Sequence, residues 1–302
     1  MSLSQAPQAP QAPPADQPKP VPLPEAYHAC VEIARRHYEN FPVATRLLSP
    51  ERRLALAAIY AFARQADDLA DAEAPVPERL RALDEVERAL LAALDGAPEG
   101  PVFTALADAV DRHRLPAEPF LDLLEAFRMD ARNATFATWD DLLGYCRGSA
   151  NTIGRLVLAT HGIEDPVVAL HSDDVCTALQ LTNFWQDLGR DLARGRVFLP
   201  VEDLARFGLE APDLERPSCR GALSRLLEHE CRATEDLYRR GAAVVREVPF
   251  GLSLQLRATI AGGRMILRSV LRSGWRVLRN RPALGTPARV RVLLTALLAL
   301  DD

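Results

Sequence analysis

Aspartates and amides recur at helical spacing in two places in this chain, and both sets suit a hard divalent cation. The first comprises Tyr60, Arg64, Asp67, Asp68 and Asp71; the second comprises Gln180, Asn183, Asp187 and Asp191. Residues three or four apart share one face of an α-helix, so each set forms a stripe. Like charges at that spacing destabilise a helix by roughly 0.2–0.5 kcal/mol per pair. The flanking residues are apolar enough for burial, and a buried carboxylate without a partner costs on the order of several kcal/mol. Mg2+ relieves both penalties, because it takes one or two carboxylates and completes its shell with water and substrate phosphate oxygens. The chemistry implied is metal-assisted handling of an anionic group, a diphosphate above all. Either stripe alone also reads as a solvated acidic helix end or a polar stripe satisfied within a bundle. Their presence together favours the metal reading.

The elements that must carry these stripes are helices. The chain has 302 residues, 48% of them hydrophobic, enough for one large domain. Residues 1–24 are rich in Pro, Ala and Gln and have no periodic apolar face, which predicts a disordered tail. From residue 25 to 302 the pattern predicts one all-α domain, with helices near 25–40, 50–72, 77–95, 101–113, 117–133, 138–162, 166–192, 217–245, 250–279 and 286–299. Breakers such as Pro75, Pro116, Pro166, Pro200 and Pro249 fall between them. That is too many helices for a simple four-helix bundle.

Composition excludes several classes. The net charge of −5 argues against nucleic-acid binding. Lys19 is the only lysine and lies in the Pro-rich tail, so a Schiff-base lysine is excluded and positive charge is carried by arginine, which pairs bidentately with phosphate. The five cysteines are widely spaced and form no CxxC, which argues for a reduced, cytoplasmic protein. No apolar run is long enough to span a membrane, and the N-terminus lacks the pattern of a secretory signal.

Both stripes resemble the paired aspartate-rich motifs of the squalene/phytoene synthase family. Three further stretches agree: Asn40-Phe41-Pro42-Val43-Ala44, the segment from Leu142 through Tyr145-Cys146-Arg147-Gly148 to Gly154 with Met129-Asp130 before it, and Gly195-Arg196 followed by Leu199-Pro200. The resemblance covers about residues 27–282. It implies an all-α isoprenoid-synthase fold around a central cavity, with Asp67, Asp68, Asp71, Asp187 and Asp191 holding several Mg2+ ions against the diphosphate. Asn183 and Gln180 would complete the second site. Tyr60 and Arg64 would contact the diphosphate or guide its departure, Tyr145 would line the cavity, and Arg281 matches an arginine used near the diphosphate. Relatives that make phytoene or presqualene diphosphate usually carry arginine before the first aspartate of the second motif. This chain has Asn183-Phe184-Trp185-Gln186-Asp187. That spelling is similar to the bacterial hopanoid-pathway branch of the family, the hydroxysqualene synthases.

The implied activity is conversion of presqualene diphosphate to hydroxysqualene by ionisation and water capture. Phe41, Phe184 and Trp185 would face the cation, and Gln186 or Asn183 would place the water. Two alternatives stand beside it: head-to-head condensation of farnesyl or geranylgeranyl diphosphates, and a non-catalytic assembly protein. The chain has no GxGxxG after a strand, which argues weakly against NADPH. Implied partners are the isoprenoid diphosphate and other hopanoid-pathway enzymes. Arg264, Arg268, Arg272 and Arg276 recur every four residues near the C-terminus. They read as a basic helix face that either pairs with acidic protein surface or touches the inner membrane peripherally.

Overall fold

The fold is that of a computed structural model, which describes residues 21–37, 48–283 and 285. Phe41, the residues 1–20 of the predicted tail and the predicted helix 286–299 lie outside the described residues. Among the described residues every regular element is helical.

The N-terminal half contains α1 (Leu23–His37), α2 (Pro50–Ala70), α3 (Val76–Leu94), α4 (Gly100–His113) and α5 (Glu118–Ala131). In α2, Ser49 caps the start by accepting a hydrogen bond from the Arg52 amide at 3.4 Å, and Pro50 opens the first turn. Its buried face is mostly alanine, Ala55, Ala58, Ala61 and Ala66, so that α1, α3, α4 and α5 pack closely around it. Phe62 anchors this core, meeting Phe103 and Phe120 edge to face.

The C-terminal half contains α6 (Trp139–Cys146), α7 (Thr152–Thr160), α8 (Pro166–Ala193), α9 (Val201–Arg206), α10 (Arg220–Gly241), α11 (Val244–Glu247) and α12 (Phe250–Ser273). The longest is α8, with 28 residues. Asp165 starts it by accepting from the Val167 amide at 2.8 Å. It packs along α10 and α12 around buried Trp185, Tyr238, Leu181 and Leu226. The molecule thus has two apolar cores, one built on α2 and one on α8. The C-terminal ends of these two helices carry the acidic stripes.

Four boundaries differ from the sequence pattern. The predicted helix 138–162 carries a π-helical turn at Arg147–Asn151 between α6 and α7. The predicted helix 217–245 stops at Gly241 and resumes as the short α11. The predicted helix 250–279 ends at Ser273, because Gly274 turns the chain with φ of +50° and a tighter 3-10 turn follows over Gly274–Leu278. The short α9 after Pro200 was not foreseen.

Candidate active site

The two stripes open on one cavity of about 290 Å³ at the seam between the cores. Asp67 and Asp71 enter from α2, and Asn183, Asp187 and Asp191 from α8. Asp130 from α5 and Tyr145 from α6 close a third side. Phe184 and Phe198 form an apolar wall; their rings stack 3.9 Å apart and 5° from parallel. Phe136 and Tyr145 pack onto Phe198 behind them. A larger groove of about 760 Å³ between α1, α2 and α4 is lined by Leu23, Tyr27, Val31 and Leu54 among others. It contains neither stripe, so the smaller cavity is the candidate site.

Arginines hold the carboxylates from several directions. Arg64, one turn back on α2, donates to Asp67 at 3.0 Å and also pairs with Asp68. The α8 helix ends at Ala193, and Gly195 with φ of +74° lets the chain double back. That turn delivers Arg196, which donates to Asp71 at 2.6 Å and lies 3.6 Å from Asp191. One guanidinium therefore bridges the two stripes. Arg194 reaches Asp71 at 3.5 Å. Arg281 grips Asp187 with two nitrogens, one at 2.8 Å.

Burial still dominates the electrostatics of several acids. Desolvation pushes Asp191 up to about 6, against the opposing pull of Arg196 and with a further push from Asp187. Desolvation likewise raises Asp67, with Arg64 opposing. Asp130 is pushed up to about 7 by burial, although the Tyr145 hydroxyl donates to its carboxylate at 2.9 Å and Arg196 lies nearby. Tyr60 is also raised by burial, with Arg64 opposing.

Not every residue that the sequence nominated reaches the cavity. Asp68 is exposed and paired to Arg64, outside the cavity lining. Tyr60, Arg64 and Gln180 also stand outside the lining. Trp185 is fully buried on the opposite side of α8, where its indole N–H donates to Thr234 at 3.0 Å. Gln186 is buried too, and its amide is bonded to Arg281 and to the Pro282 carbonyl. The reason is angular. Successive helical residues turn by roughly 100°, so Trp185 points away from the face that Asn183, Asp187 and Asp191 share, while Gln186 stands at the flank of that face, turned to Arg281 and Pro282. Conversely, Asp130, Arg190, Arg194, Arg196 and Phe198 line the cavity without having been nominated as site residues. The Gly195 turn was the available signal for Arg196, since a left-handed cap after an acidic helix aims the following residues back at it.

The donor set fits a hard cation: carboxylates and one amide oxygen from Asn183, with no thiol or imidazole. Among the described residues, no three acidic or His/Cys groups cluster closely enough to hold a metal ion by themselves.

The likeness to known proteins extends over most of the chain. The squalene/phytoene synthase family model matches residues 34–289. The chain is 30% identical to 15-cis-phytoene synthase from Synechococcus elongatus over 288 residues, 91% of this chain and 94% of that protein. It is 36% identical to hydroxysqualene synthase from Sinorhizobium fredii over 217 residues, 71% of this chain and 73% of the relative. It spans about half the length of the plant chloroplastic phytoene synthases it matches, 47% of the Arabidopsis thaliana protein. Among solved structures, squalene synthase HpnC from Alicyclobacillus acidocaldarius superposes with a TM-score of 0.79 at 39% identity, covering 84% of this chain and 97% of that one. The all-α architecture is thus an isoprenoid-synthase fold.

Proposed function

The chain belongs to the squalene/phytoene synthase family, and we propose that within it the protein converts presqualene diphosphate to hydroxysqualene in a Mg2+-dependent reaction. The observation that carries this reading is the cavity itself: two aspartate stripes from remote parts of the chain open on one space backed by stacked aromatic rings. The 36% identity to a hydroxysqualene synthase supports the finer choice of reaction.

Asp67, Asp71, Asp187 and Asp191 would hold the metal, with Asn183 beside them. When bound, Mg2+ supplies Lewis-acid stabilisation to the leaving diphosphate. The protein's own arginines share that work, since guanidinium groups pair with phosphate oxygens as they do with carboxylates. Arg194, Arg196 and Arg281 already stand against the cavity aspartates. Cleavage of the C–O bond sends its electron pair to the diphosphate and leaves a cyclopropylcarbinyl cation. The Phe184, Phe198 and Tyr145 rings exclude water from it and attract it by about 0.5–2 kcal/mol per ring. One water then adds its oxygen to the rearranged cation and releases a proton. Asn183 is the amide on the cavity side of α8 suited to orient that water. Gln186, bonded elsewhere, is not.

The test is incubation of purified protein and Mg2+ with presqualene diphosphate or farnesyl diphosphate, with and without NADPH, with products read by mass spectrometry. Hydroxysqualene from presqualene diphosphate without NADPH is expected. Phytoene-type or squalene products from two allylic diphosphates would favour the second reading, head-to-head condensation, which the near full-length likeness to a phytoene synthase supports. No turnover of any of these substrates would leave the assembly-protein reading.

A further inference from the structure

Gln186 stands beside Asp187 at the flank of the second stripe, and both ends of its amide are bonded. Both of its polar ends bond to one segment, the strap that follows α12. The amide nitrogen donates to the Pro282 carbonyl, and the amide oxygen accepts from Arg281 at 3.1 Å. The same Arg281 then reaches past Gln186 to grip the cavity residue Asp187.

The strap is built to arrive there. Gly274 turns the chain out of α12, and the Ser224 hydroxyl accepts from the Trp275 amide at 3.1 Å. The Arg220 guanidinium covers the Trp275 ring at 4.1 Å, and Val277 is buried. The Leu278 backbone then crosses α8 directly over Gly189, where a Cβ atom would lie 2.3 Å from the Leu278 carbonyl oxygen. Gly189 and Gln186 are one helical turn apart, so the strap is seated by steric fit at one and by polar bonds at the other.

We propose that Gln186 is a positioning residue whose amide clamps the strap, so that Arg281 is presented beside Asp187 to the departing diphosphate. This rests on the diphosphate reading above. The chemistry selects the side chain. A neutral amide donates and accepts at once, whereas Glu could not donate to Pro282, Arg would repel Arg281, and Leu would leave the buried Pro282 carbonyl unbonded and take one acceptor from Arg281.

The experiment is calorimetric titration of inorganic pyrophosphate into the full chain with Mg2+, for wild type, Gln186→Leu, Arg281→Ala and the double variant. Hydrogen exchange of residues 275–283 is followed in parallel. Loss of a charge-assisted contact predicts roughly tenfold weaker pyrophosphate binding for Arg281→Ala. A similar loss is expected for Gln186→Leu, with no further loss in the double variant and faster exchange in the strap. Gly189→Ala should produce the same faster exchange and weaker binding by lifting the strap sterically, with Gln186 intact. Unchanged pyrophosphate affinity in Gln186→Leu, or losses that add in the double variant, would overturn the proposal while leaving the diphosphate site standing. A wild-type protein that does not bind pyrophosphate would overturn both.

Discussion

Glu230 gives the sharpest thermodynamic prediction, because nothing compensates its burial. It lies on the inner face of α10 with 1% of its surface exposed, and both carboxyl oxygens are buried without a hydrogen-bond partner. Desolvation, with smaller contributions from Asp203 and Glu202 of α9, pushes it up to about 8 from 4.5. His229, its neighbour on α10, lies 3.7 Å from Asp203 and does not bond Glu230. The folded protein therefore keeps a proton that the unfolded chain gives up near pH 4.5. Stability from this group is full below that pH and falls as pH rises towards about 8, by up to about 1.4 kcal/mol per pH unit. Over the two units between about pH 5.5 and 7.5 the loss is about 3 kcal/mol. Glu230→Gln fills nearly the same volume and cannot ionise, and every other titrating group is common to both proteins. The difference in melting temperature between variant and wild type should therefore widen by roughly 4–5 °C in favour of the variant across that interval. Thermal melts monitored by circular dichroism at several pH values measure it. Parallel pH curves would refute the reasoning and mean that Glu230 is hydrated or paired.

Two further predictions concern the cavity. Asp67→Ala, Asp71→Ala, Asp187→Ala and Asp191→Ala should each lower kcat/KM by at least on the order of 100-fold, since even a group behind a metal ligand is worth 10–100-fold, while far-ultraviolet circular dichroism stays unchanged; near wild-type turnover by Asp187→Ala would remove the metal assignment. Asp191 and Asp130 are raised to about 6 and about 7 by burial. They gain protons as pH falls through those values and then cannot face a cation. The Mg2+ concentration for half-maximal activation should therefore rise steeply between about pH 7.5 and 5.5; a flat profile would show that these acids do not contribute.

The helices were legible because apolar periodicity and proline breakers coincide: Pro50, Pro166 and Pro249 sit at or beside the starts of α2, α8 and α12. The spacing rule also chose the correct side of α8. Asn183, Asp187 and Asp191 keep to intervals of four and share the cavity. Spacing alone does not decide the lining. Trp185 lies off the stripe and belongs to the core, whereas Gln186, three residues from Asn183, keeps the spacing yet is turned to the strap, and Gln180 keeps it without reaching the lining. Arg196 escaped nomination for a different reason. Its partner Asp71 is 125 positions away, and only the fold, which sets the end of α2 and the turn after α8 on one cavity, makes the contact. The π-helical turn at Arg147–Asn151 has no local marker in propensity or spacing.

The arginines change what the aspartate stripes mean. Asp67, Asp71, Asp187 and Asp191 each stand within 4 Å of a guanidinium: Arg64, Arg196 with Arg194, Arg281 with Arg190, and Arg196 again. A cation approaching these aspartates alone would have to displace arginines, and Arg64, Arg196 and Arg281 would then be left unpaired at partly buried side chains. A diphosphate that approaches the arginines alone leaves the aspartates unpaired in the same way. Arriving together, as the proposed reaction requires, the two would exchange partners, carboxylate to metal and guanidinium to phosphate, with no charge stranded. Each ligand therefore lowers the cost of binding the other by the same factor, as linkage requires. On this reading the composition of the chain is part of its mechanism. An acidic cavity without arginines would gather cations indiscriminately, whereas one latched by them responds to the metal–diphosphate pair.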